Sequence, residues 1–149
     1  MSLKTQINED LIKNMKAKEA FKVKVLRGIN AAIKQVEVDT KKEVSEEQAL
    51  TILQKQIKQR KESLSIYKEN NRKDLADIEE QELYILEAYL PAQMTKEHLE
   101  NIISTIIAQE VATSIKDMGK VMSRVKPMIA GKADPSEASA IIKRQLTSK

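Results

Sequence analysis

Cysteine and tryptophan are missing from this 149-residue chain, which holds one phenylalanine, three tyrosines, three glycines and three prolines. Each shortage closes a class of function. Without cysteine there is no disulfide framework, no thiolate nucleophile and no zinc ribbon. With only 3% aromatic residues, the stacking platforms that grip single-stranded nucleic acid are lacking. So few glycines leave no Gly-rich phosphate loop and no dinucleotide fingerprint. No apolar run approaches the ~20 residues of a membrane-spanning helix. The opening MSLKTQINED has no apolar signal core behind its lysine. These absences imply no cofactor, no metal and no membrane partner, and lead us to expect a cytoplasmic protein.

What is present favours helices. Hydrophobic residues make up 41% and charged residues 32% of the chain, with few helix breakers, which is the composition of an all-α protein. Ser2 is suited to cap a first helix with Leu3, Ile7, Leu11 and Met15 on one face. A second pattern, over residues 19–38, carries Leu26, Ile29, Ile33 and Val36 as one stripe. Gly28 within it weakens the helix or lets a neighbouring helix approach. Ser45 and Gln48 form a capping box ahead of a long helix with Leu50, Leu53, Ile57, Leu64 and Tyr67. The stripe skips Arg60, so that turn is expected to face solvent. Asn70 and Asn71 mark a turn, and a fourth helix follows with Leu75, Ile78, Leu86 and Leu90 inward. Pro91 stops it. A domain boundary is expected at residues 91–95, dividing 1–92 from 93–149.

Beyond the boundary the elements shorten. Thr95 caps a strongly apolar helix with Leu99, Ile102, Ile103, Ile106 and Ile107. Ser114 opens another, with Ile115, Met118, Met122 and Val125 inward, which Pro127 kinks or ends. Asp134, Pro135 and Glu137 give the clearest local signal, a cap followed by a proline where no amide donor is needed. The last helix then buries Ala138, Ile141, Ile142 and Leu146.

Catalytic constellations are thin. His98 is the only histidine and sits in a first helical turn among Lys and Glu, the setting of an inert surface residue. Glu79 and Glu82 share a helix face, but di-iron bundles place a histidine three residues after such a glutamate; with Glu80 they are expected to form a solvated acidic face. Met118, Met122 and Met128 suit a core or an adaptable docking surface.

Charge is unevenly spread. Residues 1–94 hold 17 basic and 16 acidic groups, whereas residues 116–149 hold eight against three. A local excess of this kind attracts an anionic partner, most simply a phosphate backbone; it is equally a solubilising face. Within it, Gly119 would permit close approach of a backbone or partner, and Gly131 would permit a positive φ. Lys120, Arg124 and Lys132 are expected to gather near one end of the small domain.

Several stretches resemble the YqeY family, stand-alone relatives of the C-terminal tail of GatB, a subunit of the tRNA-dependent amidotransferase. They are residues 3–18, IKQRKES at 57–63, NRKDL at 71–75, EEQEL at 79–83 leading to YLP at 89–91, and above all DMGKVM at 117–122 with GKADP at 131–135. The resemblance implies an elongated N-terminal helical domain joined to a compact three-helix domain. In GatB the similar tail helps hold tRNA while other domains perform the amide transfer. By that likeness Lys116, Lys120, Arg124, Lys132, Lys143 and Arg144 would touch an RNA backbone. The likeness stops short of GatB's catalytic core, so carbon–nitrogen ligase activity with glutamine as amide donor would belong to the larger enzyme. A non-catalytic accessory protein for tRNA or other structured RNA is the expectation. The alternative is an adaptor docking to an amidotransferase or another tRNA enzyme through the N-terminal helices.

Overall fold

The computed structural model describes residues 2–147, and every regular element among them is helical. The helices are α1 (Leu3–Lys16), α2 (Ala20–Thr40), α3 (Glu46–Glu69), α4 (Lys73–Glu87), α5 (Lys96–Gln109), α6 (Met118–Ile129) and α7 (Pro135–Thr147). A single 3-10 turn, Ile115–Asp117, precedes α6. The chain divides into two compact units between Leu90 and Pro91.

The first unit is built from two antiparallel hairpins. Lys4 reaches Glu37 and Met15 meets Arg27 between α1 and α2. Arg60 reaches Glu82 and Lys68 reaches Glu80 between α3 and α4. Local chemistry starts the helices as the caps suggest: Ser2 accepts from the Thr5 amide, and Ser45 and Gln48 satisfy each other reciprocally. Ile7, Leu26, Ile29, Ile33, Leu53 and Leu86 are fully buried in one core. The Tyr89 hydroxyl donates to Asp10 at 2.6 Å, tying the end of this unit to its first helix. Burial and that acceptor push the phenol above its ordinary range.

Four expectations fail here. Met15 and Ile78 are exposed rather than inward: α1 buries Leu3 and Ile7 at its start, and α4 turns Ala76 and Leu83 inward along with Leu86. Gly28 is not among these failures: a Cβ there would meet nothing within 4 Å, which leaves the helix-weakening reading of the two. Arg60 does not face solvent; its guanidinium contacts Glu82 and lies 3.8 Å from Glu79. Glu82 is buried, so these two glutamates are not part of a solvated acidic face. An inward cation drew them in, and desolvation holds the Glu79 carboxyl above the ordinary range.

The second unit is a three-helix arrangement of α5, α6 and α7 around Leu99, Ile103, Ile106, Ile107, Val121, Val125, Ile129, Ile141 and Ile142. Thr95 caps α5, accepting from the His98 amide at 3.1 Å; the His98 side chain is exposed. Asp134 accepts from the Ser136 amide, and Pro135 is the first residue of α7. Pro127 lies inside α6, which runs two residues past it. Ile115 is exposed, since its residue forms the 3-10 turn and the fully buried Val121 fills the core position. Met118 and Met122 pack against that core, whereas Met128 is exposed.

Three helices end in the same way. Lys18, Asn71 and Val111 adopt positive φ of 58°, 56° and 52°. In each case that residue's amide binds a carbonyl three back and the next amide binds one five back, as in Val111 to Ala108 and Ala112 to Ile107. This is the Schellman closure, whose left-handed slot usually holds glycine.

Candidate nucleic-acid interface

The DMGKVM and GKADP segments form the start of α6 and the α6–α7 turn. Asp117 accepts from the amides of Thr113 and Ser114 at 3.0 and 3.3 Å. Those two donors, with nearby Lys120, hold its carboxyl below the ordinary range. Gly131 is buried with φ 76°, the conformation its sequence position implied. Its carbonyl accepts from the Gln93 side chain at 2.8 Å, and the Lys132 carbonyl accepts from the Met94 amide at 2.8 Å. The turn thereby fixes the segment entering α5. Gly119 behaves differently: it is exposed and a Cβ there would meet nothing within 4 Å. Among the described residues, no backbone makes the close approach expected at Gly119.

The six basic side chains are not one cluster. Lys120 and Arg124 flank Glu110 at the end of α5, at 3.4 and 2.9 Å, and Arg124 also donates to Gln109 at 2.9 Å. Arg124 first, then Lys120, hold the Glu110 carboxyl below the ordinary range. Arg144 pairs with Glu100 at 2.9 Å. Lys132 sits beside Met94, at the opposite end of α5, a helix about 20 Å long. Lys120 and Arg124 therefore do not gather with Lys132, because α6 runs antiparallel to α5 and carries them to its two ends.

Lys116, Lys132 and Lys143 are exposed and make no ion pair among the described residues. Lys126, on the outer face of α6, shares that state, and its sequence position alone carries no signal that would set it apart from the other basic residues. Lys149 lies outside the described residues. Among the described residues, no group of His, Cys, Asp and Glu is arranged to hold a metal ion, and no helix is long and apolar enough to cross a membrane.

The fold and this basic unit define an all-helical protein of two parts with a positively charged three-helix unit. The family model for Yqey-like proteins matches residues 4–146, and the chain belongs to the YqeY family. Among curated proteins it is similar to altered inheritance of mitochondria protein 41, mitochondrial, of several yeasts. The Vanderwaltozyma polyspora protein is 34% identical over 119 residues, covering 75% of this chain and 64% of that protein. The Lachancea thermotolerans protein is 30% identical over 150 residues, covering 96% and 80%. The Kluyveromyces lactis protein is 31% identical over 129 residues, covering 81% and 70%. These relatives are named as mitochondrial proteins, which overturns the cytoplasmic expectation. That expectation rested on absences alone, and a lack of cysteine suits any reducing compartment.

Proposed function

We propose that the C-terminal unit is a non-catalytic accessory module that binds structured RNA, tRNA foremost, through phosphate contacts. One observation carries the reading: Lys116, Lys126, Lys132 and Lys143 are exposed cations with no ion pair among the described residues, all on one small unit. Lys120, Arg124 and Arg144 are secondary contacts, since each already faces a carboxylate. The resemblance to the GatB tail supports tRNA as the anion and leaves amide transfer to a partner enzyme. Gripping by shape and charge fits a chain with so few rings for base stacking.

The test is a titration of tRNA against the full chain over a salt series. Binding should weaken steeply with salt, and replacing the four unpaired lysines by glutamine should flatten the logarithmic slope by about 3. No binding at low salt, or an unchanged slope, sinks the reading.

A second reading, an adaptor docking through the N-terminal helices, is favoured by Tyr84, which is 81% exposed on α4 beside Phe21 and Ile85 in a groove of about 460 Å³. Capture of an amidotransferase subunit by the wild-type chain but not by Tyr84→Ser would support it.

A further inference from the structure

The turn joining α1 to α2 carries a cationic surface that the even charge balance of residues 1–94 conceals. Lys13, Lys16, Lys18, Lys24 and Arg27 are all exposed. None of the five makes an ion pair among the described residues; Arg27 only approaches the Met15 sulfur, at 4.0 Å. The C-terminal unit, by contrast, mixes such cations with Lys120, Arg124 and Arg144, which are already engaged.

The cations are interleaved with aliphatic groups. Met15, Lys18, Ala20, Val23, Lys24 and Arg27 line an open groove of about 510 Å³, and none of these residues is acidic. Ile12, one turn before Met15 on α1, is 55% exposed and Met15 is 48% exposed. The nearby carboxylates Glu19, Asp77 and Glu80 line a different groove, with Phe21 and Tyr84. The lining of the first groove is therefore cationic and aliphatic, with Glu19 as the carboxylate at the turn beside it. Its tip is held by the closure of α1, in which the Lys18 and Glu19 amides bind the Met15 and Asn14 carbonyls.

We propose that this elbow docks on the surface of an anionic phospholipid bilayer. Headgroup phosphates would sit at Lys18, Lys24 and Arg27, while Ile12 and Met15 enter the boundary between headgroups and acyl chains. Clustered Lys and Arg bind anionic leaflets, and exposed aliphatic groups among them add burial that only an interface rewards. Long lysine stems lie along such a boundary with their charges in water. A nucleic acid fits less well. Phosphates gain nothing from Ile12 or Met15, the exposed aliphatic part of this surface. The proposal is independent of RNA binding by the C-terminal unit, because it rests on different residues of a different unit.

Vesicle co-sedimentation with the full chain tests it. Vesicles of equal parts phosphatidylglycerol and phosphatidylcholine should bind the protein, and pure phosphatidylcholine should not. The triple variant Lys18→Gln, Lys24→Gln, Arg27→Gln should lose roughly 100-fold in affinity, at about fivefold per cation near an anionic surface. Ile12→Ser with Met15→Ser should weaken binding while leaving its salt dependence intact. Lys132→Gln with Lys143→Gln should bind vesicles as the wild type does. All of these positions are exposed, and an unchanged helical circular dichroism spectrum confirms that each variant folds. Absence of binding at low ionic strength overturns the proposal, as does equal binding to neutral vesicles or an unaffected triple variant. If the triple variant loses tRNA while the wild type ignores both kinds of vesicle, the elbow is a nucleic-acid surface instead.

Discussion

Gly28 and Gly119 occupy helical backbone with open space where a side chain would go. Neither has a positive φ, so each bears the entropic cost of glycine without a steric reason. Gly28→Ala and Gly119→Ala should each stabilise their unit by about 0.5–1 kcal/mol in urea unfolding. A gain at Gly119 accompanied by weaker tRNA binding would mark that surface as a contact. The Arg60 cluster gives paired predictions of opposite sign. Glu82→Gln removes the closest partner of an inward guanidinium and should cost about 2–3 kcal/mol, less than a fully buried pair because Arg60 keeps some exposure. Glu79 is held in its neutral direction by desolvation first and the Glu82 charge second. Above its folded pKa both states are ionised and the fold carries that strain; as pH falls through it, the native protein takes up the proton first and gains stability. Glu79→Gln should therefore stabilise at pH 7, with an advantage over wild type that shrinks by pH 5, as denaturant midpoints at the two pH values would show. The sequence concealed this cluster: a gap in an apolar stripe at Arg60 looks the same whether the side chain meets water or carboxylates from the next helix.

At the scale of elements, helix starts were legible and helix ends only in part. Ser2, Ser45, Thr95 and Asp134 cap where their spacing implies, since an N-cap involves atoms only a few residues apart. Four of the ends use a left-handed residue other than glycine, Lys18, Lys41, Asn71 and Val111, and Gly131 takes that conformation after α6. Asn71 and Gly131 are turn signals and both are legible in the sequence, whereas the two lysines and the valine carry no such signal. Val111 is the costliest of the four, being β-branched and 77% exposed. Its position is fixed by Ala112, which is buried and bound back to Ile107. Val111→Gly should raise stability by about 1–2 kcal/mol, read as a higher thermal midpoint. A fall would mean that the valine makes a contact that repays its strain.

At the scale of the whole molecule, the two units have separate cores with no buried residue in common. Ile103→Ala, at a fully buried position, should cost the C-terminal unit about 3–4 kcal/mol. Hydrogen exchange should show the loss in α5, α6 and α7 while the slow amides of α1–α4 keep their protection. The basic character of this unit was legible from composition, but its grouping was not. Which cations stay free depends on Glu100 and Glu110, which α5 presents to residues 44 and 10–14 positions away. Glu110 has a further consequence. An anion arriving at Lys120 and Arg124 must displace a resident carboxylate rather than water, so its gain is the difference between two ion pairs. A single weak monoanion wins nothing from that exchange, whereas a dense run of phosphates anchored elsewhere does. If the unit binds RNA as proposed, this carboxylate would act as a threshold that favours a polymer over a small metabolite anion.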